Sequence, residues 1–105
     1  MQALNRRLDR RVPVEMFVNQ YVDGLPVLCD ALDLSWSGML LRHRHEPPEL
    51  ALYAIEFGLP AREGSLWAFA RPAWQRGRLQ AVRIVGMDQE DNRELARYLA
   101  ERRAA

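Results

Sequence analysis

Apolar and polar positions alternate along most of this chain, and only its last fifth departs from that rhythm. Val14, Met16 and Val18 alternate with Glu15, Phe17 and Asn19, the two-residue period of a half-buried strand. The run continues through Tyr21-Val22 to Asp23-Gly24, a dipeptide that marks a tight hairpin, and Pro26 to Leu34 reads as the returning strand. Gly38 to Arg42 predicts a third strand, and Leu50 to Phe57 a fourth that is apolar on both faces apart from Glu56. Between these two, the polar segment His43 to Glu49 holds Pro47 and Pro48 and reads as a solvated loop. In Ser65 to Trp74, Trp67, Phe69 and Arg71 alternate with Leu66, Ala68 and Ala70, and Pro72 must sit at an edge or a bulge. Trp67 and Trp74 are candidate base-stacking platforms, but aromatics at this spacing are expected in the core. Arg76-Gly77 turns the chain, and Arg78 to Met87 returns as the last strand.

After Met87 the period changes. Asp88 is placed to cap a helix with Asp91 three residues on, and Asn92, Leu95, Ala96, Tyr98 and Leu99 recur at spacings of three and four. Arg97, Arg102 and Arg103 near the helix end read as dipole complements and solubilising charges. Strands of this length joined by short turns predict a mainly β fold: a small antiparallel six-stranded β-barrel with one C-terminal α-helix packing its Leu95/Leu99 stripe onto it. The expected boundaries are an arginine-rich arm at 1–12, the barrel at 13–87 and the helix at 88–105.

Composition narrows the class. The 105 residues are 49% hydrophobic and 28% charged, the balance of one folded domain. Cys29 is the single cysteine, which excludes an exported disulfide scaffold and reads as a buried small hydrophobe. The chain has no apolar run long enough for a membrane span and no signal-peptide core at its N-terminus, so a cytoplasmic location is expected.

Net charge is only +1, but its distribution is uneven. Arg6, Arg7, Arg10 and Arg11 crowd the first dozen residues, opposed there only by Asp9. All 15 basic residues are arginine, whose planar fork binds phosphate and the acceptor edge of guanine through two hydrogen bonds. The other reading is a solvated charged arm. The second candidate is Asp33-Leu34-Ser35-Trp36-Ser37-Gly38, a polar corner between two apolar runs. Taken alone it reads first as an Asx or Ser turn with Gly38 at positive φ, and second as a carboxylate, a hydroxyl and bare backbone presented to a small polar ligand. His43, His45 and Glu46 do not make a metal site, because they lie beside a proline loop with no further ligand except Cys29. An enzyme is not expected: neither a Ser-His-Asp order nor a phosphate-cradling glycine loop occurs, and Asp88, Glu90 and Asp91 read as a helix start.

With arm and corner both in view, the chain resembles a PilZ domain. The arm carries the family's RxxxR as Arg7-Leu8-Asp9-Arg10-Arg11, and the corner carries DxSxxG as Asp33 to Gly38. Trp74 ending a strand, the run Ala81 to Val85 and the closing helix look like the family's last elements, although Ala81 or Val82 stands where many members have glycine. The similarity spans essentially the whole chain and implies a stand-alone domain. It also implies binding of cyclic di-GMP, the bacterial second messenger. Arg7 and Arg11 would meet guanine N7/O6 and the phosphates, Asp33 the guanine N1–H and amino group, and Ser35 a phosphate or base edge, while Gly38 lets the ligand approach. Arg6 extends the motif to RRxxxR and, with Arg10, leads to the expectation that the arm orders around two intercalated ligand molecules. The signal would pass to an unidentified downstream protein controlling motility, surface polysaccharide or virulence, with no resident cofactor and no nucleic acid. The alternatives are a small nucleic-acid-binding barrel and a PilZ adaptor that works without ligand.

Overall fold

The computed structural model describes residues 9–104. Six strands, β1 (Val12–Val22), β2 (Leu25–Leu34), β3 (Gly38–His43), β4 (Tyr53–Phe57), β5 (Leu66–Arg76) and β6 (Leu79–Met87), precede one helix, α1 (Gln89–Ala104). All neighbours are antiparallel, and the sheet closes in the order β1-β2-β3-β6-β5-β4. In that ring β2 and β5 stand on opposite sides of the barrel.

The hairpins follow from their turn residues. Asp23 and Gly24 both have positive φ, 51° and 80°, the geometry that matches the right-handed twist of the β1–β2 ribbon. Pro72 lies where β5 slips register against β6, between Pro72 and Trp74. The ladder is interrupted there, so the missing proline N–H costs no bond.

Alternation fills the interior. Val18, Cys29, Leu34, Met39, Leu41, Ile55 and Phe57 are almost fully buried. Leu95, Tyr98 and Leu99 of α1 join the same core, so the helical stripe closes the barrel. Asp88 caps α1 by accepting from the N–H of Glu90 at 3.2 Å. Asp91 does not complete a capping box. Its carboxylate accepts from the N–H of Trp67 at 3.0 Å, supplying β5 with an acceptor just beyond the last β5–β6 pair, Ala68 and Met87. Arg102 likewise does more than complement the helix dipole, because it donates to the carbonyl of Pro13 at 3.3 Å and lies over the Tyr98 ring.

Three expectations change. The fourth strand begins at Tyr53 rather than Leu50, since the segment after Pro47-Pro48 approaches the sheet without pairing to it. His43 is the last residue of β3 rather than part of a solvated loop, and it is 3% exposed. Its Nε2 lies 2.9 Å from Oε1 of buried Gln80, which also accepts from Gln20 at 3.2 Å. Burial lowers the His43 pKa and the bond to Gln80 partly opposes that shift. Trp67 and Trp74 are not core residues: they are 44% and 48% exposed, Trp67 because Leu66, Ala68 and Ala70 take the inward positions of β5, and Trp74 because the register slips between Pro72 and Trp74.

Candidate functional site

Arg11, the last arginine of the arm, meets the polar corner at one end of the barrel. Pro13 of β1 is the register partner of Asp33 in β2, so the chain just before β1 runs beside the Asp33 side chain. Arg11 Nη1 donates to Asp33 Oδ1 at 2.7 Å across 22 residues of sequence. Arg11 keeps 53% of its side chain exposed and Asp33 keeps 21%, so neither group is sealed off from a ligand. Both strands slip register here, β1 between Pro13 and Met16 and β2 between Ala31 and Asp33. Paired bulges of this kind re-aim side chains out of the regular ladder.

The rest of the corner is a turn whose polar groups are already engaged. Ser35 is 2% exposed, and both its N–H, at 2.8 Å, and its Oγ, at 3.2 Å, donate to the carbonyl of Gly38. The N–H of Ile84 donates to the carbonyl of Ser37 at 2.7 Å and ties the turn to β6. Gly38 is not among the positive-φ glycines, so conformational freedom is not its role. A Cβ there would lie 2.1 Å from the carbonyl oxygen of Val82, and only glycine lets β3 approach β6 so closely. Ser35 and Gly38 therefore hold the turn that fixes Asp33.

Arg10 is exposed at the arm's base, whereas Arg6 and Arg7 lie outside the described residues. An open groove of about 650 Å³ runs along β1 and β2, edged by Glu15, Phe17, Asp30 and Arg42, and its lining stops at Leu32, one residue short of Asp33. Its only ion pair among the described residues is a loose one, Arg42 to Asp30 at 4.0 Å. Trp74 shares a row of the sheet with Asp33: the register runs Asp33 to Leu40, Leu40 to Ala81 and Ala81 to Trp74. Ala81 sits on this row with a 2% exposed side chain, and the exposed indole stands at its far end. Periodicity marked Trp74 as aromatic and in a strand, but its outward direction depends on the bulge after Pro72.

Residues 5–101 match the family model described as PilZ domain. Among solved structures, the chain is similar to the Bacillus subtilis inhibitor of motility MotI/DgrA at 12% identity and a TM-score of 0.76, covering 90% of this chain and 49% of that one. The chain thus spans about half the length of that protein. The PilZ domain of CeSA from a cellulose-synthesizing bacterium aligns at 17% identity and a TM-score of 0.66, covering 88% and 96% of the two chains. An uncharacterised Legionella protein aligns at 8% identity and a TM-score of 0.63, covering 90% and 95%. No curated protein matches the chain at a significant level. Among the described residues no helix is long and apolar enough to cross a membrane.

Proposed function

The chain belongs to the PilZ domain family, and from that premise we propose that it is a cyclic di-GMP receptor that relays the messenger to a protein partner. PilZ domains bind a ligand or act as adaptors, and a binding role accords with a site made of arginines, a carboxylate and an aromatic platform. The observation that carries this reading is the 2.7 Å pair between Arg11 and Asp33. It joins one residue of each motif, leaves both part-exposed, and sets an acceptor and a two-pronged donor side by side.

On binding, Asp33 accepts from guanine N1–H and the amino group while the arm arginines Arg6, Arg7, Arg10 and Arg11 close on N7/O6 and the phosphates. Ser35 and Gly38 act by fixing the turn beneath Asp33. Trp74 offers its face to a base at the far end of the row it shares with Asp33. The extra arginines of the arm favour two ligand molecules per domain over one. The partner belongs to motility, surface polysaccharide or virulence control; the motility inhibitor among the structural relatives supports the first of these.

Isothermal titration with cyclic di-GMP, GTP and an oligonucleotide tests the assignment. Saturable binding of cyclic di-GMP alone, weakened at least tenfold in Arg11→Ala and in Asp33→Ala, is expected from the loss of a charge-assisted bond. Wild-type affinity in both variants would move the site elsewhere, and tighter, salt-sensitive oligonucleotide binding would favour the nucleic-acid reading.

A further inference from the structure

The outer face of β4, β5 and β6, across the barrel from Asp33, carries three successive rows of different character. In the first, Glu56 of β4 is the register partner of Trp67, and Asp91 of α1 reaches the Trp67 N–H. In the second, Phe69 pairs with Ala54 on one side and Gly86 on the other. In the third, Arg71 pairs directly with Arg83. Successive rows lie about 7 Å apart along the strand, so the face reads acidic, apolar and basic over about 14 Å.

The middle of this face is an uncovered aromatic patch. Phe69 is 56% exposed, Trp67 44% and Val85 44%, and Tyr21 stacks on Trp67 at a ring separation of 5.2 Å. Ala54 and Gly86 flank Phe69 with little side chain, and the Phe69 ring lies against Gly86, where a Cβ would stand 3.8 Å from its Cδ2. The third row is unfavourable in an isolated molecule, since like charges directly opposite on neighbouring strands repel. Among the described residues no carboxylate lies within ion-pair distance of Arg71 or Arg83.

We propose that this face is a homodimer interface, with a second copy of the chain as its occupant. A two-fold axis through Phe69 lays the strip antiparallel on itself, so that each residue meets its counterpart's partner. The Arg71/Arg83 row of one copy then faces the Glu56/Asp91 row of the other at both ends, and the two Phe69 rings meet in the centre beside Trp67. The charge pattern is self-complementary in that arrangement and in no parallel one. Because β2 lies opposite β5 in the ring, Asp33 and Arg11 lie outside the paired strips, whereas Trp74, two register pairs beyond Arg71 and Arg83, borders them; dimer formation does not require ligand.

Sedimentation equilibrium of the full chain, without ligand, tests this with paired charge variants. The wild type is expected to dimerise with concentration, and to dimerise less as salt rises. Phe69→Asp is expected to be monomeric with unchanged circular dichroism. Arg71→Glu/Arg83→Glu makes both ends acidic, and Glu56→Arg weakens the acidic end. Each alone is expected to dimerise at least tenfold more weakly, and the mixture of the two is expected to recover a one-to-one heterodimer. A wild type that stays monomeric throughout its soluble range overturns the proposal, as does a mixture no tighter than its components. Either result, with a folded protein, would reassign the patch to a different occupant.

Discussion

At Gly38 a residue shared with a ligand motif has a role that concerns the scaffold. The position accepts no Cβ because the Val82 carbonyl oxygen would stand 2.1 Å from it, and both atoms belong to paired backbones that cannot rotate away. Gly38→Ala is therefore expected to cost about 2 to 3 kcal/mol of folding stability through forced overpacking, read as a lower urea midpoint at unchanged slope. Unchanged stability with lost ligand binding would instead make Gly38 a contact residue. Cys29 shows the same division between chemistry and packing. Its thiol is pushed up to about 12 by burial first and by the nearby Asp30 charge second, and it donates to the carbonyl of Val18 at 3.4 Å. It is an inert core group rather than a nucleophile.

The strands decide which side chains share a surface. β5 carries Leu66, Ala68 and Ala70 inward and Trp67, Phe69 and Arg71 outward, until the slip after Pro72 sets Trp74 on the row that begins at Asp33. Ala81 between them is buried, with 2% of its surface exposed. If Trp74 is a stacking platform, Trp74→Ala lowers affinity for cyclic di-GMP by about 1 kcal/mol or more, at least fivefold. Because the indole is half-exposed, the thermal midpoint should barely move. Titration and thermal melting of the same sample separate the two effects, and unaltered binding would confine the site to the β1–β2 side.

For the whole molecule, the polar cluster of His43, Gln80 and Gln20 inside the barrel ties stability to pH. Burial holds the folded-state pKa of His43 below its ordinary 6.5, while the unfolded chain titrates near that value. Between the two values the unfolded state binds more protons, so the stability present above pH 6.5 is lost as pH falls through the folded value. Urea melts across this interval should show that slope, and His43→Gln should flatten it while keeping a polar partner near Gln80. A slope unchanged in the variant would place its origin in another group.

The alternation of apolar and polar residues specified the strands, their turns and the closing helix, because each of those signals is local. Asp23-Gly24 adopts the positive φ angles that its hairpin requires, and Leu95 and Leu99 are buried as their spacing predicts. The order of the arginine arm and the polar corner around the first hairpin was legible for the same reason: one turn and one register bring Pro13 opposite Asp33. Direction and partnership were not. Whether Trp67 points in or out depends on which alternate set of β5 the closed barrel takes as its lining, and period two is the same either way; Trp74 belongs to the other set and faces out only through the slip after Pro72. His43 is buried because β3 extends one residue further and meets Gln80 of β6, 37 positions away. The close approach of Gly38 to Val82 and the facing of Arg71 by Arg83 are likewise products of register between distant strands, which the barrel's closure fixes and no local pattern encodes.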